Sequence, residues 1–289
     1  MVSVSSFRTN PKGYVDERLG RIVFGNSTTF SRNLEGRLTM ARARVASRGH
    51  GDLDTSIDSS LIRTQGFAIA PKLFPVELIQ TIEDKFSQML AEGHPATEPR
   101  PIIDGVAYRF LLLDAGRYIP ATAGLLDENV SNAVRGYFGS NFGVMTLKIW
   151  RNLGAEPDVA AQGIYANNWH CDAQPTSILK MMVNLSDVTE ADGPFHVQSR
   201  KDTKRIIRAG YGTRENYAGA ANIIDNPNAV VKCTGPKGSM VLCNTELCMH
   251  KAGTVEPGRT RDMLQIELIP SPEPLPTDWY RVQTLSSGN

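Results

Sequence analysis

Metal-binding and cross-linking side chains are scarce in this chain. Its 289 residues include five histidines and four cysteines. The cysteines, Cys171, Cys233, Cys243 and Cys248, form no Cys-x-x-Cys pair, which excludes the usual zinc spacings and a dithiol redox motif. Cys243 and Cys248 flank a turn-prone segment, but buried free thiols are the expectation, in keeping with a reducing compartment. An excess of one charge is lacking too: 31 Lys and Arg face 30 Asp and Glu, a formal net charge of +1. No electrostatic footprint for nucleic acid or an anionic membrane follows from that balance. No apolar run reaches the roughly 18 residues that span a bilayer, and no apolar signal segment is evident at the N-terminus. The expectation is a soluble, cytoplasmic protein with neither nucleic acid nor membrane as partner.

With 41% hydrophobic and 21% charged residues, the chain can bury a substantial core. Residues 1–55 are rich in Ser, Arg, Gly and Asn and read as an N-terminal arm, wrapped over the core or contacting a partner subunit in a homo-oligomer. A short helix is expected there at 33–46. Its Arg- and Ser-rich character is that of a transit peptide, against which Asp16, Glu17 and Glu35 count. The remainder, 56–289, reads as one domain. Helices are expected at 76–92, with Leu78, Ile79, Ile82, Phe86, Met89 and Leu90 on one stripe and Gly93 as a stop, and at 125–138. From 144 onward short apolar strands follow: VMTLKIW (144–150), ILKMMVNL (178–185), VVKC (230–233), SMVLC (239–243) and MLQIELI (263–269). Such strands between Gly, Pro, Asn and Asp turns indicate a sandwich or barrel. The polar stretch 200–229, with Arg200, Arg205, Arg208 and Arg214, reads as a lid loop or a solvated surface loop.

Two of the five histidines stand where an iron site needs them. His170 and Asp172 alternate along a segment expected to be a strand, so both reach inward while Cys171 points away. His250, within GSMVLCNTELCMHKAG (238–253), is the candidate third ligand. The set matches the two-His, one-carboxylate facial triad, which leaves three adjacent positions open on ferrous iron. Arg259 and Arg261 follow nine and eleven residues past His250, and a guanidinium there can hold a dicarboxylate in a bidentate pair. Gln162, Tyr165, Asn167, Gln174, His196 and Lys148 surround the motif as candidate contacts, each also explained by ordinary structural bonding.

These blocks resemble the phytanoyl-CoA dioxygenase family of iron(II)- and 2-oxoglutarate-dependent oxygenases. TQGFAIAPKLFPVELIQTIEDKF (64–86) is similar to the family's opening strand and first helix, NNWHCDAQ (167–174) to its Trp-His-x-Asp motif, and RTRDMLQIEL (259–268) to the co-substrate segment. Two departures mark this chain: Val197-Gln198-Ser199-Arg200 stands where the family has Pro-Gly-Ser-His, and the N-terminal arm is long. The resemblance implies a mainly β fold with flanking helices, a double-stranded β-helix of the jelly-roll, cupin-like type. It further implies that His170, Asp172 and His250 hold iron, and that Arg261, or else Arg259, pairs with the far carboxylate of 2-oxoglutarate, with dioxygen as second co-substrate. The implied activity is oxidation of a C–H bond of a small-molecule substrate, most simply hydroxylation, with release of succinate and carbon dioxide. Relatives that halogenate lack the carboxylate ligand, so Asp172 argues against halogenation. Two alternatives stand beside this reading: a jelly-roll metal-binding module without oxygenase activity, holding zinc or nickel, and an oxidative isomerase or cyclase on the same iron site.

Overall fold

The computed structural model describes residues 11–24, 28–47, 53–209 and 229–282, without the side chain of Tyr165. Most of the expected lid, including Arg214, lies outside the described residues.

The chain opens with helix α1 (Pro11–Leu19), a π-helical turn (Gly20–Phe24) and α2 (Phe30–Ala46). Then come α3 (Ser59–Thr64), β1 (Phe67–Ala70) and α4 (Val76–Ala91). Four strands follow: β2 (Thr97–Pro99), β3 (Ile102–Ile103), β4 (Val106–Ala107) and β5 (Arg109–Leu113). Helix α5 (Glu128–Phe138), the long strand β6 (Asn141–Leu153), the short α6 (Pro157–Ala160) and β7 (Leu179–Asn184) come next. β8 (Phe195–Gln198), α7 (Arg200–Arg208), β9 (Val230–Cys233), β10 (Met240–Cys243), β11 (His250–Ala252) and β12 (Thr260–Ser271) complete the order.

Two antiparallel sheets make the jelly roll. The larger has the order β1-β10-β7-β12-β6-β5-β2, the smaller β11-β8-β9, and an isolated bridge from His170 to His250 extends the smaller one. β12 shows how sequence selects the layers, because alternate residues face opposite sides of a strand. Leu264, Ile266 and Leu268 pack outward into the main core with Ile79, Ile82 and Phe86 of α4 and Val130, Val134 and Phe138 of α5. Met263 packs inward with Trp150, Phe195 and Val197, between the sheets. Each such buried aliphatic contributes roughly 1.5–3 kcal/mol.

Helix ends follow local chemistry. Asp127 caps α5 by accepting from the Val130 N–H at 2.8 Å, and Gly139, at φ +67°, ends it. Where the pattern of 178–185 predicts a strand, β7 is shorter by a residue at each end, whereas β6 and β12 extend beyond their apolar centres through paired polar residues. The stretch from Arg200 contradicts the loop reading: it is helical to Arg208, capped by Ser199, which accepts from the Asp202 N–H at 3.1 Å. Thr203, Ile206 and Ile207 stand at helical spacing and are buried, the two isoleucines against Trp169, Cys171 and Met249.

Candidate metal centre

His170 reaches its place without a regular strand around it. Its backbone exchanges hydrogen bonds with His250, N–H to O at 3.0 and 2.9 Å, and the Asp172 N–H donates to Thr245 O at 3.1 Å. Two-residue alternation survives: His170 and Asp172 face the barrel mouth, and Cys171 joins the apolar cluster behind it. The expected strand shrinks to a single bridge at His170, with the peptide N–H groups on either side of Cys171 still paired to the His250 segment.

Both imidazoles are tied down at Nδ1, His170 to Asn168 O at 2.7 Å and His250 to Cys248 O at 3.0 Å. A ring that donates from Nδ1 presents the lone pair of Nε2 outward. Those two Nε2 atoms lie 3.6 and 3.7 Å from Asp172 Oδ1 and Oδ2, and the three ligand atoms all fall within 4.8 Å of one another. Cis ligands about 2.1 Å from an octahedral ion stand about 3.0 Å apart, so the distances from the two Nε2 atoms to the carboxylate would close by roughly 0.6–0.7 Å to seat a metal. Two imidazoles and one carboxylate, with the rings deprotonated at Nε2 once a metal is bound, fit a first-row divalent ion with open positions.

A buried charge array backs the carboxylate. Lys180 of β7 lies 2.6 Å from Asp172 Oδ2 and 3.5 Å from Glu267 of β12, and Lys148 of β6 stands 3.6 Å from Glu267. Burial works against ionisation of Asp172, but the charges of His250 and Lys180 and the hydrogen bond from Lys180 outweigh it and hold its pKa far below the carboxylate range. Burial likewise disfavours the Lys180 ammonium, yet Asp172 and Glu267 keep its pKa above the usual value. Lys148 goes the other way: burial lowers its pKa against the pull of Glu267. Glu246, in the turn before β11, is fully buried; burial raises its pKa to about 8, with Lys180 opposing.

Behind the three ligands a cavity of about 260 Å³ enters the barrel, walled by Trp150, Met182 and Phe195 and edged by Arg109, Lys148 and Gln265. Arg261 is almost fully buried. It sits on the same face of β12 as Gln265, opposite Asn152 of β6, and Arg109 of β5 meets that asparagine from the other side, Nε to Oδ1 at 2.7 Å. Arg259, just outside the strand, instead pairs with Asp192 at 2.8 Å. Lys148 therefore lines the cavity, whereas Gln162, Asn167 and Gln174 do not. His196 lies with its ring centroid 6.2 Å from that of Trp169. Arg109, Lys180, Glu246 and Glu267 carry no motif, and nothing in their local sequence marks them as site residues.

No protein-family model and no curated protein sequence matches the chain. Solved structures do, at the level of fold. The epimerase SnoN, in complex with Fe3+, alpha ketoglutarate and nogalamycin RO, superposes with a TM-score of 0.53 at 15% identity, over 80% of this chain and 90% of that one. EctD from S. alaskensis, in its apoform, gives 0.56 at 15% identity over 76% and 80%. HygX from Streptomyces hygroscopicus, with nickel, 2-oxoglutarate and hygromycin B bound, gives 0.50 at 16% identity over 73% and 85%.

Proposed function

We propose that this protein is an iron(II)- and 2-oxoglutarate-dependent oxygenase that oxidises a C–H bond of a small-molecule substrate, with hydroxylation as the simplest outcome. The observation that carries the proposal is the convergence of His170 Nε2, Asp172 and His250 Nε2 at the mouth of a cavity in a jelly roll. The fold supports it, since SnoN is solved with Fe3+ and alpha ketoglutarate, and HygX with nickel and 2-oxoglutarate. Those two are also solved with nogalamycin RO and hygromycin B, which favours a small-molecule substrate here.

In this reading His170, Asp172 and His250 hold the metal. The iron, when bound, supplies the activation of dioxygen coupled to decarboxylation of 2-oxoglutarate. The protein's own residues bind, orient and exclude water. The carbonyls of Asn168 and Cys248 fix the imidazole rings, Lys180 keeps the Asp172 carboxylate ionised and oriented, and Arg261, on the inward face of β12, takes the far carboxylate of 2-oxoglutarate. Trp150, Met182 and Phe195 keep the wall dry.

A second outcome has specific support: SnoN is an epimerase and SnoK a carbocyclase. Hydrogen abstraction is shared by all three outcomes, and product mass separates them. Hydroxylation adds one oxygen atom, epimerisation leaves the mass unchanged and ring closure removes two hydrogens.

The test is an anaerobic titration with ferrous iron and then 2-oxoglutarate, followed by the visible charge-transfer band of the chelate. The band is expected in the native protein and absent in Asp172→Ala with the circular dichroism spectrum unchanged. Iron binding without a band would leave a metal-binding module in its place.

A further inference from the structure

The near-zero net charge conceals an uneven distribution. On the far side of the turn that precedes His250, α2, α3 and α7 meet around a second cavity, of about 280 Å³, whose wall carries Arg37, Arg44, Arg63 and Arg200 beside Tyr137 and Phe24. It shares no lining residue with the cavity at the metal ligands: Thr245 faces one and Leu247 the other. Among the described residues, none of the four guanidiniums is paired with a carboxylate.

Part of this cluster has a structural explanation. Arg44 Nε donates to Phe138 O at 2.6 Å and Arg63 Nη1 to Gly136 O at 2.5 Å, so both satisfy carbonyls at the C-terminus of α5, where positive charge is favourable. Each such bond uses one of five N–H donors. Arg37 and Arg200 cap nothing. Arg37 stacks over Phe24 at 4.6 Å. Arg200 makes one long contact, to Arg63 O at 3.4 Å, and its Nε is buried without a partner. The charge continues along α7: Lys201, Lys204, Arg205 and Arg208 line a wider opening that also includes Arg200. Like charges crowd one another there, since the Lys204 amine is pushed below its usual pKa by burial and then by Arg200 and Arg208. Such repulsion costs free energy that an anion offsets.

We propose that this cavity binds the diphosphate group of a small soluble molecule, at a site separate from the metal centre. Four cations drawn from three helices around one concavity match a multiply charged oxyanion better than a single carboxylate. Guanidinium forks suit phosphate oxygens, and the volume lies near the lower end of small-molecule sites. The cations of α7 carry the charge beyond the cavity, but Arg37, Arg44, Arg63 and Arg200 face one concavity, which favours a small anion over a nucleic acid or lipid surface.

Calorimetric titration with inorganic diphosphate at near-physiological salt tests the proposal. One saturable site is expected, weakened roughly ten- to hundredfold by Arg37→Ala and by Arg200→Ala, each removing a charged hydrogen-bonding group. Arg37→Lys keeps the charge without the fork and loses less. His250→Ala, checked for folding by circular dichroism, binds diphosphate as the native protein does, which separates this site from a metal held at the triad. The proposal is overturned if no saturable binding occurs, if both alanine variants bind unchanged, or if His250→Ala abolishes binding. Binding of duplex DNA or acidic vesicles that diphosphate does not displace would also overturn it.

Discussion

Arg259 and Arg261 stand two positions apart, and the start of β12 at Thr260 sends them to different places. Arg259, itself exposed, reaches the buried carboxylate of Asp192; Arg261 turns inward and is 2% exposed. In the proposed function the buried guanidinium on the inward face is the one that meets the dicarboxylate. Arg261→Ala is therefore expected to raise the 2-oxoglutarate concentration for half-maximal succinate release roughly ten- to hundredfold, with ferrous iron still bound. Arg259→Ala should leave that concentration where it was, and the reverse result would move the anchor to Arg259. Glu246 makes a prediction of a different kind. Its folded pKa of about 8 lies above its ordinary value of 4.5, so between those values the folded state holds a proton that the unfolded state has released. The stability it contributes is present below about pH 4.5 and is lost as pH rises through 8, a change on the order of 5 kcal/mol. Asp172, shifted downward, acts in the opposite sense and at lower pH. Urea unfolding at pH 5, 7 and 9 should show a decline with rising pH that Glu246→Gln flattens; an equal decline in both proteins would remove Glu246 as its source.

Among the elements, β8 and β11 hold the mouth of the barrel through one tight crossing. Gly193, at φ +63°, ends the turn before β8, and a Cβ there would lie 2.5 Å from the Thr254 carbonyl carbon and 2.6 Å from Gly253 O. Gly193→Ala combines left-handed strain with a backbone clash and should cost about 1–3 kcal/mol. His250 pairs with Val197 across the same ladder, so metal affinity should fall with the thermal midpoint; an unchanged midpoint would refute the crossing's importance. Periodicity made many elements legible beforehand. The stripe from Leu78 to Leu90 marks α4 to within a residue of its end, and VVKC coincides with β9. The candidate ligands were legible as residue types at a spacing, while their backbone was not, because a single bridge leaves no alternating run around it. Arg109 was missed because RFLLL has no alternation to mark its inward face, and α7 because its polar residues outweigh its short apolar stripe. Lys180 and Glu267 sit among apolar neighbours in β7 and β12, and only the fold reveals that these buried charges face each other.

For the molecule as a whole, α2 ties the segment of His170 and Asp172 to the far end of the sheet. Its 17 residues span about 25 Å. Near its start, Arg32 donates to the Ala173 carbonyl, and Gly36 lies so close to Thr176 that a Cβ would stand 2.9 Å from its hydroxyl. Beyond its end, Ser47 accepts from the Asn141 N–H at 3.2 Å, where β6 begins, and reaches Ser271 O at 3.4 Å, where β12 finishes. Yet the helix buries only Asn33, Gly36 and Ala43, little apolar surface for its length. Its contribution to global stability should accordingly be small and its effect on the segment from His170 to Ser177 larger, since groups that orient ligands govern metal affinity by roughly ten- to hundredfold. A chain lacking residues 1–52 is expected to lose a few degrees in its unfolding temperature and about tenfold in ferrous iron affinity, about the lower bound for a ligand-orienting group. Calorimetry and an anaerobic metal titration measure the two quantities on the same sample. A large fall in unfolding temperature with unchanged iron affinity would show instead that α2 serves the core and leaves the metal segment to hold itself.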